Sequence, residues 1–241
     1  VALFRERLQK TLKKTIGEIV DQLKADDLTA LESAALLGSL DNALNEAGIG
    51  GVLDEIKTIY AEQIDYISKR FAGRGDIETF SDVDKDVIRA LVTFDENSIA
   101  QSVNQGVGDI TSTLMRSVIT GQDIDSSIYD GALESLGRNI ETDLNTSALT
   151  FARTVTVSKA IDSGLELFIY IGPDDKVTRP FCHELLAKDP PVYTLDEIKG
   201  MDNEQDTDVL TTCGGWNCRH EWAPIDPERA KELGYDAGTE D

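Results

Sequence analysis

Apolar residues recur at helical spacing over the first two-thirds of the chain. Phe4, Leu8, Leu12, Ile16, Val20 and Leu23 share one side of a helix predicted from Val1 to Lys24. Arg5, Arg7, Lys10, Lys13 and Lys14 occupy much of its remainder. This basic cluster reads as a solvated face, with docking on an acidic surface as the alternative. Asp26 or Asp27 can cap a second helix that runs through Leu28, Leu31, Ala35 and Leu40 to Leu44. Gly48, Gly50 and Gly51 are expected to end it. A third helix carries Val52, Ile56, Ile59, Tyr60, Ile64 and Ile67 and stops near Ala72-Gly73. In the loop that follows, Arg74-Gly75-Asp76 reads as an ordinary turn, because three residues are too few to specify an adhesion signal. Ser81 or Asp82 starts a helix through Val87, Ile88, Leu91 and Val92. Another is expected from about Asn97 to Thr120, weakened in its middle by Gly106 and Gly108. A long helix from Ser126 to Ser163 lines up Ile128, Leu133, Leu136, Ile140, Leu144, Ala148, Phe151 and Val155, and Gly164 closes it. No fixed-period repeat is apparent, so a solenoid is not supported.

The texture changes at Leu165. LELFIYIG is a short apolar and aromatic run ended by Gly172-Pro173-Asp174-Asp175, which predicts a strand into a tight turn. Thr178 is placed to cap a short helix with Pro180 in its first turn, carrying Cys182 and His183. Pro190-Pro191 breaks the chain. Thr194 followed three residues later by Glu197 is a capping box, so a second short helix begins there. Gly200 to Asp208 reads as a polar, mobile loop, and Gly214-Gly215 as a turn. Cys218 to Ala223 alternates as a return strand, and Asp226 to Leu233 forms a last weak helix. The fold class is therefore mainly α with a small C-terminal α+β module. Residues 1–164 form a helical arm or bundle, with 1–80 as a separate partner-binding segment. Residues 165–227 form the compact module and 228–241 an acidic tail.

Composition narrows the function. A net charge of -22 and a pI near 4.3 oppose a broad grip on DNA, which relies on lysine and arginine displacing counterions. No apolar run approaches the roughly 20 residues needed to span a bilayer. The chain opens at Val1 rather than methionine, which is compatible with a removed leader; VALFRERLQKTLKKT itself is too charged for a signal-peptide core. Three cysteines in 241 residues are no disulfide framework and point to a reducing compartment, with metal binding or free thiols.

All three cysteines and both histidines fall between Gly172 and Pro227. Zinc takes four thiolate or imidazole ligands in a tetrahedron. Cys182, Cys213, Cys218 and His220 are the candidate set for a structural zinc, with His183 as the alternative ligand. The metal would help a small unit fold. The competing account makes Cys182 and Cys218 small buried hydrophobes, with His220 hydrogen-bonded to the backbone. A catalytic cysteine is the third reading. Against it, Cys218 and His220 would share a strand face without a glycine-rich nucleophile turn. Hydrolytic zinc lacks a His-Glu-x-x-His motif. Arg219 and Arg179 read as orienting residues paired with nearby acids, and Trp216 and Trp222 as core and lid of the small unit.

The order of a strand, GPDDKVTRPFCHELLAK, VYTLDEI, an acidic loop and GGWNCRHEWAPI resembles the C-terminal domain of tailed-phage head-morphogenesis proteins. This is the Mu F-like minor head protein family, with the related minor capsid proteins of Bacillus phages. The resemblance runs from about Leu165 to Asp226. It is fainter over Ser126 to Ser163, where FARTVT stands in the place of the family's Arg-Thr-Glu segment. Arg153 and Thr154 match, while Val155 replaces the acid. Cys182, Cys218 and His220 fall on positions of the family's motif; Cys213 and His183 are particular to this chain. The resemblance implies a non-catalytic virion component, assembled in the host cytoplasm and placed in the phage head near the portal vertex. Its implied partners are portal protein, major capsid protein and other copies of itself, with no membrane. The alternative is a metal- or cysteine-dependent hydrolase, a peptidase or nuclease, carried in the virion.

Overall fold

Among the described residues, seven helices precede the first strand. A computed structural model describes residues 1–25, 28–72, 82–124, 126–205 and 208–236. The helices are α1 (Ala2–Ala25), α2 (Ala30–Gly38), α3 (Leu40–Glu46), α4 (Ile49–Leu53), α5 (Glu55–Ala72), α6 (Asp82–Thr120) and α7 (Ser127–Asp162). The chain is mainly α, with a small three-stranded antiparallel sheet near the C-terminus, as the patterning predicts. No helix among the described residues is long and apolar enough to cross a membrane. Asp26, Asp27, Ser81 and Arg74-Gly75-Asp76 lie outside the described residues.

The helix boundaries depart from the periodic reading in two places. The single helix expected through Leu28 to Leu44 is two. Thr29 caps α2 in a capping box: its hydroxyl accepts from the Glu32 N–H, and its own N–H donates 2.8 Å to the Glu32 carboxylate. Ser39 then separates α2 from α3, its hydroxyl donating 2.7 Å to the Leu36 carbonyl, a side-chain bond that competes with regular helix. Gly48, at φ 84°, ends α3, but Gly50 and Gly51 lie inside α4 rather than terminating anything. Conversely, the two helices expected between Ser81 and Thr120 are one continuous helix, α6. Gly106 is tolerated there because it makes room: a Cβ on it would run into the Leu136 side chain of α7.

The chain folds as two compact units. One comprises Val1–Ala61 with Ala90–Leu144, the other Glu62–Arg89 with Asn145–Asp241. In the first, α1 packs on α2, α3 and α4. Its apolar stripe, Phe4, Leu8, Leu12, Ile16 and Val20, is buried. The basic residues around that stripe are only partly a free solvated face. Arg5 meets Glu141 at 2.6 Å, Arg7 meets Glu55 at 2.5 Å and Lys13 meets Asp130 at 2.9 Å. Pairs this exposed contribute little, because solvent screens them, so the aliphatic stripe carries the stability.

The second unit is built on strands β1 (Leu167–Ile171), β2 (Val192–Thr194) and β3 (Glu221–Ile225), in the order β2-β1-β3. Alternation along β1 turns Phe168 and Tyr170 inward, Phe168 opposite Tyr193 and Tyr170 opposite Trp222. They pack with Val157 and Ala160 of α7, with Leu185 of α8 (Pro180–Ala187) and with Ile198 of α9 (Leu195–Lys199). The Thr194–Glu197 capping box is present. The N-cap of α8 is Arg179 rather than Thr178, whose hydroxyl instead closes the preceding turn by accepting from the Asp175 N–H at 2.9 Å. The Gly200–Asp208 segment is not wholly a loose loop: Asn203 is buried and donates 2.6 Å to the Cys213 carbonyl. Helix α10 (Val209–Thr212) follows it, and α11 (Pro227–Glu232) lies within the weak helix expected from Asp226 to Leu233, with Asp226 as its N-cap. Trp222 is core, donating its indole N–H to the Val209 carbonyl at 3.0 Å, whereas Trp216 is 55% exposed.

Candidate metal centre

Three stretches of the second unit bring sulfur and imidazole together. Cys182 comes from the first turn of α8, where Pro180 sets the entry into the helix. Cys218 and His220 come from the segment between α10 and β3. That segment is tightly wound, with Cys213, Gly215 and Asn217 all at positive φ (53°, 84° and 53°). The winding aims the Gly214 N–H at the Cys218 sulfur, 3.2 Å away. Gly214 is required by space as well, since a Cβ there would run into the Cys182 sulfur.

The resulting distances are short. Cys182 Sγ lies 3.8 Å from Cys218 Sγ, and Cys218 Sγ lies 3.5 Å from His220 Nδ1. The three side chains are buried, their ligand atoms lie within 4.8 Å of one another, and the group can hold a metal ion. The imidazole is oriented for that task. Its Nε2 is 2.9 Å from the Pro173 carbonyl, which can only accept, so Nε2 carries the proton and Nδ1 turns a lone pair toward the sulfurs. The ring stacks on Tyr170 at 5.3 Å, and a Cβ on Gly172 would run into it. Tyr170 also donates its hydroxyl to Cys182 Sγ at 3.2 Å.

Arg153 of α7 holds the carbonyls of the same segment. It is buried, donating from Nη2 to Cys218 at 2.6 Å and from Nε to His220 at 3.0 Å, with Nη1 reaching Thr212 at 3.3 Å and Thr211 at 3.4 Å. This explains why β3 begins at Glu221 and not at Cys218. The carbonyls of Cys218 and His220 are taken by a guanidinium instead of a neighbouring strand. Helical periodicity offers no hint of this role; FARTVT stood out only through the family resemblance.

The electrostatics are asymmetric. The Cys218 thiol is held well below the ordinary thiol range, first by the hydrogen bond from Cys182, against burial, and then by the N–H groups of His220 and Gly214. Cys182 is pushed well above the ordinary thiol range by its bond to Cys218 and by burial. The two sulfurs thus favour one thiolate beside one thiol, donors of the kind a thiophilic cation takes.

The other candidate ligands lie outside the group. Cys213 is fully buried in the same core cluster as Cys182 and Cys218, its thiol pushed up to about 12 by burial, but it is not a member of the group. His183 is exposed and faces Asp174 at 3.1 Å. Arg219 pairs with an acid as expected, binding Asp175 through two 2.8 Å bonds and holding that carboxyl well below its usual range. Arg179 does not: it donates to the carbonyls of Gly214, at 2.7 Å, and of Trp216. Compared with protein-family models, curated proteins and solved structures, the chain has no significant match.

Proposed function

We propose that this chain is a structural minor head protein of a tailed bacteriophage. It associates with portal protein, capsid protein or both during head assembly, DNA packaging or ejection. Zinc bound by Cys182, Cys218 and His220 fastens its C-terminal unit. The observation that carries this reading is convergence. Arg153, Cys182, Cys218 and His220, four of the residues on which the resemblance rests, are scattered over 68 positions and meet at one buried point. Chance matches to a motif have no reason to be neighbours in space.

The distances support zinc as the ion. Tetrahedral geometry with zinc–sulfur bonds of about 2.3 Å and zinc–nitrogen bonds of about 2.05 Å has sulfur–sulfur edges of about 3.8 Å and sulfur–nitrogen edges of about 3.6 Å. The Cys182–Cys218 separation is 3.8 Å and the Cys218–His220 separation 3.5 Å, with the Cys182–His220 edge within 4.8 Å. A hydrolase is the weaker reading, because among the described residues no carboxylate lines the cleft beside the group to serve as a general base.

Two measurements test the proposal separately. Purified particles of the parent phage are expected to contain the chain at low copy, cross-linked to portal protein; its absence from particles would end the structural-protein reading. Elemental analysis of protein purified without chelator is expected to give about one zinc per chain. A ratio near zero, with Cys182→Ser folding normally, rejects the zinc site.

A further inference from the structure

Beside the three candidate ligands lies a surface cleft of about 210 Å³. Cys182, Cys218 and His220 form part of its wall. The rest of the lining is Val177, Thr178, Arg179, Asn217 and Arg219. None of these five carries a thiol, imidazole or carboxylate. Among the described residues, no fourth ligating side chain joins the group. A four-coordinate ion on this site would therefore take its last ligand from the cleft. The cleft has room for several water-sized molecules, each of which needs only about 30 Å³ in the liquid.

The charge on the cleft selects what enters. Two thiolates and a neutral imidazole cancel a divalent cation. Arg219 is neutralised by its paired bonds to Asp175. Arg179 is not neutralised in this way: its guanidinium is tied to the Gly214 and Trp216 carbonyls, beside the sulfurs, and carries a full positive charge into the cleft wall. We infer that the metal keeps one exchangeable coordination position, open to this cleft, that binds a small monoanion from solvent. Arg179 favours the anion over neutral water. Sites with three protein ligands and an open position are the arrangement of ligand-exchanging zinc, whereas purely structural zinc is closed by four. This inference rests on the metal reading above and adds ligand exchange to the fastening.

Cobalt-loaded full-length protein and azide test it. Two thiolates are expected to give a sulfur-to-cobalt charge-transfer band, and added azide to shift the ligand-field bands saturably. Arg179→Gln is expected to weaken azide binding about tenfold, the scale of one charge acting across a partly desolvated cleft. Cys213→Ala and His183→Asn are expected to leave the cobalt spectrum unchanged. Cobalt bands that do not respond to azide overturn the exchangeable position while leaving the metal site standing. So does loss of a third of the charge-transfer intensity in Cys213→Ala, which would make Cys213 the closing ligand. Absence of any cobalt band overturns the metal reading and this inference together. Should Arg179→Gln fail to fold, the azide titration of the unaltered protein decides alone.

Discussion

The two units are held together by different physics. The first is a set of helices whose aliphatic stripes bury one another; Leu8, Leu12, Ile16, Leu114, Ile140 and Leu144 are each at most 1% exposed. Its ion pairs are peripheral. The second has a small aromatic core, Phe168, Tyr170, Tyr193 and Trp222, and spends much of its interior on polar atoms: two sulfurs, an imidazole and a guanidinium. An aliphatic core tolerates adjustment because apolar contact has no preferred direction. A polar interior does not, since every buried donor or acceptor left without a partner costs about 1–3 kcal/mol. The difference teaches where each unit is vulnerable: the first to lost volume, the second to a lost hydrogen bond.

The sharpest way to break the comparison is a matched pair of substitutions. Arg153→Met keeps bulk but leaves the carbonyls of Cys218 and His220 without their donors. It is expected to destabilise the second unit by about 3–5 kcal/mol and to weaken metal binding. Leu12→Ala should cost the first unit about 2–5 kcal/mol through its cavity and leave metal affinity unchanged. Hydrogen exchange resolved by segment separates the two outcomes. Equal loss of protection in both units for either variant would show that the distinction is false.

A smaller effect is expected with pH. In the metal-free protein the Cys218 thiol is held well below its ordinary value of about 9 by the hydrogen bond from Cys182. Its contribution to stability is therefore complete above about 9, declines as the pH falls below that value, and is gone once the folded thiol is protonated. The raised Cys182 thiol acts in the opposite sense only above about 9, where the unfolded chain ionises and the fold resists. Denaturant midpoints of chelated protein should thus fall between pH 8 and pH 5 for the second unit. Cys218→Ser should flatten that slope, and an unchanged slope would remove the thiolate from the account.

The smallest expected effects come from a device common to both units. Thr29 and Thr194 close equivalent capping boxes on α2 and α9. Thr29→Ala and Thr194→Ala should each cost about 1 kcal/mol, read as a shift in urea midpoint. A markedly larger cost at Thr194 would mean that α9, through Ile198, braces the aromatic core as well as capping itself.

Periodicity revealed the stripes of α1, α5 and α7, because one face of a long helix must repeat at 3.6 residues whatever it packs on. Local chemistry revealed the capping box at Thr194, because capping is settled within one turn. Ser39 and β2 went unseen: a single serine carries little statistical weight, and a three-residue strand is too short for alternation to register. At the site, Cys182, Cys218 and His220 were legible as residue types with metal chemistry. That Cys213 would stay outside the group, and His183 turn out to Asp174, was not, because both sit next to or within five residues of members of the group.

Residue order alone thus determined the helical character, the small terminal sheet and the short roster of thiols and imidazoles from which a metal site can be drawn. Which of them meet was decided only in three dimensions. The choice depends on the positive-φ winding of Cys213, Gly215 and Asn217, on the space left by Gly172 and Gly214, and on a guanidinium from a helix about 65 residues upstream. Ligand geometry is a matter of tenths of an ångström, and such distances are set by packing against distant segments rather than by spacing along the chain.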